Sequence, residues 1–391
     1  MVSFEVIILG GLGGPSESST QCFMVRPFDS SELNSLCVDG GAGVGHIMDT
    51  LVCSNEDLTV DGDEVNDDFH KYFRSLNQYH HDEDKYYKRR SKRIKLSKPV
   101  QNNNPNVKVG FSNKMIETLN DRSTVLEKAY SIYQGIESYY ITHPHLDHIN
   151  GIILNSPLMF ERDLPSNKTL YGLNFTTEAL QTHVFNDIIW PNLTNQESSN
   201  LHIETLKQSQ IHNVNAFPNW EMLPFKICHG TKVIDGSRVF STVYLLRDRI
   251  NKNALIFFGD TDYNQHIDGK ETGLDLLDAF WDYLADHIPF DEISGIFIEC
   301  SSTCNYRDEQ LYGHLSPQHL IDNLKDLHRK YNRDLNSRFD LNVIITHVKM
   351  VPTSKDPRLT ILNELRTIAK TTPELDGIKF HLALNKHRFI L

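Results

Sequence analysis

The sequence concentrates residues that bind metal ions in one short stretch, positions 142–148 (THPHLDH). His143, His145, Asp147 and His148 place three imidazoles and a carboxylate within six residues. If buried, each would need a polar partner, and none would add much to an apolar core. Neutral imidazole nitrogen and carboxylate oxygen are ligand types that suit zinc, manganese or iron. The stretch therefore predicts a metal site, with an exposed histidine-rich loop as the alternative interpretation.

The spacing within this stretch suggests how its side chains divide between ions. On an extended backbone, residues two apart project to the same side, so His143 and His145 can share one ion. Asp147 and His148 follow a bend and can face a second ion a few ångströms away. The spacing predicts a site for two ions.

Three further ligand-type residues each follow an apolar segment. His229 follows 225–228, Asp260 follows 254–259 and His347 follows 342–346; the alternation of such segments with amphipathic helices favours an α/β fold. Open α/β sheets place their sites outside the carboxyl ends of strands, so residues far apart in sequence can converge there. We expect helices over 274–285, over 317–331 with Ser316 as N-cap, and over 359–369, covering the sheet faces.

The start of the chain predicts a β-hairpin. Apolar runs at 4–9 and 22–25 flank the glycine-rich segment 10–14. These glycines lack the spacing and the lysine of a P-loop, so a tight turn is favoured over a phosphate-binding loop. A further run, 36–38, ends at Asp39, whose carboxylate can orient a ligand histidine from behind.

Charge and composition restrict the function and the location. The net charge of −12 over 391 residues argues against a nucleic-acid coating protein, whose surface should be basic. The negative net charge does not exclude an anionic substrate, because a pair of metal ions would make the site itself locally positive. The six cysteines have no repeated spacing, which favours reduced thiols over a disulfide framework. The sequence shows neither a secretory signal nor an apolar window of ~20 residues. We expect a cytoplasmic protein without a membrane span.

The composition changes over residues 55–106. Acidic residues cluster at 61–68, basic residues at 88–93 and polar residues at 101–106. Such a segment buries too little apolar surface to offset its ordering entropy, so we expect a flexible insertion within a single domain spanning 1–391. The basic run 88–93 is interpreted as a solvated charged loop, with a nuclear-import signal or an RNA-binding patch as the alternatives.

The motifs together resemble a known superfamily. HxHxDH, followed by a lone histidine, a strand-ending aspartate and a strand-ending histidine, resembles the metallo-β-lactamase superfamily of dinuclear hydrolases. Within it, the longer string HPHLDHING is similar to the signature of the class II cyclic-nucleotide phosphodiesterases, including the fungal low-affinity cyclic AMP enzymes. Flanking strings agree at 139–142, 155–157, 313–317 and 346–349, and the resemblance runs from residue 4 to the C-terminus, outside the insertion.

The resemblance implies a fold and a ligand set. The fold would be a metallo-β-lactamase-like αβ/βα sandwich, with two mixed sheets flanked by helices. One zinc ion would be held by His143, His145 and His229, and the other by Asp147, His148 and His347, with Asp260 bridging both. Manganese or iron would accept the same ligands. Two such ions lie ~3.5–4 Å apart and share a water whose pKa falls toward ~7.

The resemblance also implies a reaction, hydrolysis of 3′,5′-cyclic AMP, and of cyclic GMP, to the 5′-monophosphate. His314 would be the general acid for the leaving 3′-oxygen and Glu299 its orienting partner, which would raise the imidazole pKa. The alternative interpretation makes Glu299 a strand-end residue and His314 a loop histidine.

Two other functions remain open from the sequence. A tRNA 3′-processing endonuclease shares the metal pattern and the Glu/His pair, but the acidic chain offers only the run 88–93 as a basic arm. A non-catalytic cyclic-nucleotide sensor would keep the ligands without turnover. The expected partner is a small cyclic nucleotide, with neither nucleic acid nor membrane, and a homodimer is an open alternative for the assembly.

Overall fold

The computed structural model describes residues 2–54, 106–122, 124–160, 167–194, 200–262, 274–331, 339–353 and 355–391. The predicted flexible insertion lies outside the described residues except for Asn106, and so does the basic run 88–93.

The first sheet is mixed and has the strand order β5-β17-β1-β3-β4-β6-β7-β8. Its strands are β1 (Phe4–Gly10), β3 (Cys22–Pro27), β4 (Ser35–Val38), β5 (Val107–Val109), β6 (Ile136–Tyr140), β7 (Lys168–Gly172), β8 (Leu201–Thr205) and β17 (His387–Ile390). Strands β4, β6, β7 and β8 pair in parallel, whereas β1 pairs antiparallel with β3 and β17. The predicted opening hairpin is therefore confirmed.

The second sheet has the order β16-β14-β13-β12-β11-β10-β9. Its strands are β9 (His212–Asn213), β10 (Trp220–Thr231), β11 (Arg238–Asp248), β12 (Asn253–Phe258), β13 (Ile293–Glu299), β14 (Leu341–Thr346) and β16 (Ile378–Leu382). Strands β12, β13, β14 and β16 are parallel, and β11, β10 and β9 continue the sheet as antiparallel strands. A small parallel pair, β2 (Leu12–Gly13) with β15 (Val348–Lys349), links the glycine-rich segment to the chain beyond β14.

The helices are α1 (Val44–Ser54), α2 (Asn113–Glu117), α3 (Val125–Gly135), α4 (Leu146–Asn155), α5 (Asn174–Ala179), α6 (Leu274–His287), α7 (Pro317–Lys330) and α8 (Pro357–Ala369). The three predicted helices are confirmed. Helix α8 begins two residues before the expected 359, because Asp356 caps it by accepting from the Arg358 amide. Ser316 is the N-cap of α7, but its hydroxyl lies 3.2 Å from His319 Nδ1 and makes no capping bond within the described chain. No helix among the described residues is long and apolar enough to cross a membrane.

Alternating side chains sort into three apolar layers. In β1, Val6 and Ile8 face the second sheet. Between the two sheets, the ring of Phe23 in β3 lies 5.4 Å from the ring of Phe297 in β13. The opposite face of β1, with Ile7, packs against a layer that includes residues of α1, α3 and α4. Helices α6, α7 and α8 cover the outer face of the second sheet. This helix–sheet–sheet–helix order confirms the predicted αβ/βα sandwich.

Candidate metal centre

The histidine stretch changes from extended to helical backbone at His145. This residue has an extended conformation (φ −69°, ψ 149°) and is the N-cap of α4, so Asp147 and His148 lie in the first helical turn. His143 and His148 are buried, whereas His145 is exposed. The predicted bend therefore separates His143 and His145, which precede the helix, from the helical residues Asp147 and His148.

The three distant residues reach the same place from the second sheet. Asp260 follows β12 and His347 follows β14, as predicted. The expected strand end at Cys228 was wrong: β10 continues through His229 to Thr231. Its register with β11 shifts between Cys228 and Thr231, and such a bulge re-aims a side chain at a strand end.

The ligand-type atoms form three groups. The first comprises His143, His145, His229 and Asp260, and the second comprises Asp147, His148 and His347. A third group, Asp260 with His314 and His347, overlaps both of them; within each group these atoms lie within 4.8 Å of one another.

Asp260 faces the first and second groups with different oxygens. Its Oδ2 lies 3.6 Å from His143 Nε2 and 3.4 Å from His229 Nε2. Its Oδ1 lies 3.3 Å from His148 Nε2 and 3.2 Å from His347 Nε2. The carboxylate therefore stands between the two sets of imidazoles.

Several of these atoms are buried without a partner. Among the described residues, His143 Nε2, His148 Nε2 and Asp260 Oδ1 have no hydrogen-bond partner. Leaving a buried polar atom unsatisfied costs about 1–3 kcal/mol. A cation would satisfy these lone pairs, and imidazole with carboxylate is the donor set that divalent metals of the zinc type accept. The residues fit divalent metal binding.

The second ring nitrogen of each buried imidazole is held from behind. Nδ1 of His148 lies 2.8 Å from Asp39 Oδ2, and Nδ1 of His229 lies 2.9 Å from the Gly313 carbonyl oxygen. The corresponding atoms of His143 and His347 lie 3.1 Å from Thr142 Oγ1 and 3.0 Å from Ser301 Oγ. Partners of this kind fix the tautomer and ring orientation of metal-binding histidines, leaving Nε2 to point inward.

The electrostatics favour ligand-competent protonation states at His143, His229 and Asp260. At His148, burial would lower the pKa, but Asp260 and Asp39 outweigh it and raise the pKa well above its usual value. Burial lowers the pKa of His229 to about 4, and burial together with the charge of His148 lowers the pKa of His143 well below its usual value. Burial alone would raise the pKa of Asp260, but His347 and the other imidazoles lower it well below its usual range. Neutral imidazole and ionised carboxylate are the forms that bind metals.

Glu299 and His314 lie together beside this cluster. His314 Nδ1 is 3.0 Å from Glu299 Oε1 and 3.8 Å from Asp260 Oδ2. Burial lowers the pKa of His314, but Glu299 and Asp260 outweigh it and the net change is upward. Glu299 also accepts hydrogen bonds from the Thr261 amide (2.7 Å) and the Ser301 hydroxyl (2.6 Å). This carboxylate is thus held in one orientation.

The glycine-rich segment packs against the second group, a role that the sequence did not suggest. The Gly14 amide donates to Asp147 Oδ2 (3.0 Å), and the His347 amide donates to the Gly11 carbonyl (2.8 Å). A Cβ at Gly13 would lie only 2.4 Å from His347 Cε1. The glycines allow the backbone to approach these two side chains closely. Thr142 and Ser301 were also missed, because hydroxyl residues carry no metal signal of their own.

Superposition on solved structures identifies the fold of the chain. The chain superposes on the unliganded yeast PDE1 crystal structure with a TM-score of 0.82 and 37% identity, covering 100% of both chains. It superposes on the Bacillus subtilis metallo-β-lactamase fold protein YhfI with a TM-score of 0.50 and 13% identity, covering 100% of this chain and 99% of the other. The protein has the metallo-β-lactamase fold, as the sequence predicted.

Comparison with related sequences identifies the family of the chain. Residues 74–385 match the model of the class-II cAMP phosphodiesterases. The chain is 38% identical to Saccharomyces cerevisiae 3′,5′-cyclic-nucleotide phosphodiesterase 1, covering 100% of both. It is 26% identical to a Candida albicans 3′,5′-cyclic-nucleotide phosphodiesterase, covering 94% of this chain and 95% of the relative. The chain belongs to the class-II cAMP phosphodiesterase family, which confirms the predicted enzyme class.

Proposed function

We propose that this protein is a dinuclear zinc phosphodiesterase that hydrolyses 3′,5′-cyclic AMP, and also cyclic GMP, to the 5′-monophosphate. The observation that carries the proposal is Asp260, whose two oxygens face two separate groups of imidazoles. The names of relatives support the substrates: one from Dictyostelium discoideum, 26% identical over 55% of each chain, is a 3′,5′-cAMP/cGMP phosphodiesterase.

In this proposal the first and second ligand groups would each bind one ion. His143, His145 and His229 would hold the first ion, Asp147, His148 and His347 would hold the second, and Asp260 would serve both. The predominance of imidazole favours zinc, with manganese or iron as the alternatives. When bound, the pair of ions would supply a water activated near neutral pH and neutralise charge on the phosphoryl oxygens.

The remaining chemistry belongs to the chain's own residues. Attack of water on phosphorus breaks the bond to the 3′-oxygen, which must gain a proton as it leaves. His314 supplies that proton from Nε2, because Nδ1 is engaged by Glu299 at 3.0 Å. Glu299, buried and held by the Thr261 amide, keeps the imidazole in one tautomer. Glu299 acts through His314, as its orienting partner.

The test combines metal analysis with product identification. The purified chain is incubated with cyclic AMP, with and without a zinc chelator, while bound metal and nucleotide product are measured. About two zinc ions per chain, with 5′-AMP formed only in the unchelated sample, is the expected result. Two ions without turnover would overturn the substrate assignment and turn attention to precursor tRNA or to product-free nucleotide binding. The single domain, the cytoplasmic location and the homodimer stay predictions.

A further inference from the structure

Asp39 is connected to two imidazoles of the centre, one by a direct contact and the other through a hydroxyl group. Its Oδ2 lies 2.8 Å from His148 Nδ1, a direct contact. Thr142 Oγ1 lies 3.0 Å from Asp39 Oδ1, 3.1 Å from Asp39 Oδ2 and 3.1 Å from His143 Nδ1. All four residues are buried. His148 is thus held directly, and His143 through a hydroxyl.

Glu299, on the other side of the centre, repeats this arrangement. Its Oε1 lies 3.0 Å from His314 Nδ1, again a direct contact. Ser301 Oγ lies 2.6 Å from Glu299 Oε2 and 3.0 Å from His347 Nδ1. These residues are buried as well. One carboxylate therefore reaches both the proposed acid and, through a hydroxyl, a proposed metal ligand.

The direction of these hydrogen bonds follows from counting protons. A hydroxyl has one proton to donate, whereas an ionised carboxylate can only accept. Ser301 Oγ also lies 2.8 Å from the His347 carbonyl, but donating there would set its lone pairs against Glu299 Oε2 at 2.6 Å. The proton therefore points to Glu299, and the oxygen accepts from His347 Nδ1–H.

The same count applies to Thr142. Its hydroxyl donates to Asp39, and its oxygen accepts from His143 Nδ1–H, with His148 Nδ1 more distant at 3.4 Å. In both cases the imidazole proton stays on Nδ1, and the Nε2 lone pair faces Asp260.

We propose that Thr142 and Ser301 are positioning residues for the metal centre, each fixing the tautomer of one ligand histidine. The inference rests on the proposed two-ion site and deepens it. The two residues act on different groups, because His143 belongs to the first ligand group and His347 to the second. Loss of such outer partners lowers metal affinity by about 10–100-fold in well-studied sites.

The test removes each hydroxyl and measures zinc affinity by competition with a chromophoric chelator. Ser301→Ala and Thr142→Val are each expected to release one of the two ions at about 10–100-fold lower chelator concentration than the unmodified chain. Ser302→Ala is the matched control, since its hydroxyl lies on the same loop and makes no hydrogen bond within the described chain. Ser301→Thr and Thr142→Ser, which keep the hydroxyl, are expected to keep the affinity.

The outcomes separate this proposal from its alternatives. Equal zinc affinity for Ser301→Ala and Ser302→Ala would overturn it for Ser301, and unchanged affinity in Thr142→Val would do so for Thr142. Equal losses in Ser301→Ala and Ser301→Thr would point to packing. If Ser301→Ala does not fold, Thr142→Val tests the proposal independently at the other hydroxyl. Because affinity is measured without a nucleotide, failure of the substrate assignment would leave this result intact.

Discussion

The close approach of Gly13 to His347 gives a sharp test of how the centre is held. A Cβ at position 13 would lie 2.4 Å from Cε1, 2.5 Å from Nδ1 and 2.8 Å from Nε2 of His347. Non-bonded carbon atoms prefer about 3.5–4.0 Å, so Gly13→Ala must displace the ring or the loop by about 1 Å.

The ring cannot yield freely. The His347 amide donates to Gly11, and its Nδ1 is held by Ser301. Overpacking of this kind costs about 1–3 kcal/mol of folding stability. A misplacement of about 1 Å near the chemistry can cost about 10²-fold in rate, so we expect a loss of that size in kcat/KM. Metal should be lost from the group that contains His347.

The assay compares Gly13→Ala with Gly45→Ala, in kcat/KM for cyclic AMP and in zinc bound per chain. Gly45 lies in α1, where an added Cβ meets no described atom within 4 Å. In the first turn of a helix, alanine should be tolerated and leave activity unchanged. If Gly13→Ala keeps both ions and its rate, the glycine segment does not position His347.

Two further predictions concern the ligand and acid assignments and a buried lysine. His145→Ala should lose metal and activity together, whereas His314→Ala should keep both ions and lose about 10²–10⁴-fold in rate; equal metal loss in the two variants would contradict the roles. Burial lowers the pKa of Lys168 to about 7, although its Nζ donates to the Tyr133 and Ile136 carbonyls. Between pH 7 and about 10 the unfolded chain therefore binds one more proton, and the free energy of unfolding should rise with pH, by about 2–3 kcal/mol from pH 7 to 9. The free energy of unfolding of Lys168→Met, measured by denaturant titration, should not show this rise with pH. Parallel pH profiles for Lys168→Met and the unmodified chain would refute the prediction.

The ligand residues could be located from the sequence because two signals coincide at them. Asp260 and His347 combine a metal-binding residue type with the end of an apolar strand, and both signals are local. The bulge at His229 could not be predicted from the sequence, because it depends on the register between β10 and β11. A period of two fixes which face a residue occupies but not which strand lies beside it.

The supporting residues could not be located in the same way. Ser301 and Thr142 matter only through a hydroxyl placed between a carboxylate and an imidazole. Gly14 acts through an amide that reaches Asp147, 133 residues away. Serine, threonine and glycine are common, and nothing in their local pattern distinguishes these positions. Such roles become visible only when the tertiary contacts are known.

The acidic character of the centre leads to a last prediction, about substrate binding. Asp147, Asp260 and Glu299 all have lowered pKa values: burial would raise each of them, but the neighbouring imidazoles outweigh it. His148 and His314, whose pKa values are raised, offset part of this charge, but the carboxylates outnumber them in a chain with net charge −12, and the balance repels an anionic cyclic phosphate. Cations would reverse that local field.

Chelation should therefore weaken binding of the cyclic nucleotide as well as abolish its turnover. The slow variant His314→Ala allows this to be measured at equilibrium, by calorimetry with cyclic AMP before and after metal removal. We expect a loss of at least about 10-fold in affinity, corresponding to roughly 1.4 kcal/mol. Weaker binding of the chelated form at low ionic strength than at high would identify repulsion as the cause, because salt screens it. Equal affinity with and without metal would mean that the nucleotide is held by contacts away from Asp147 and Asp260, and the charge argument would fail.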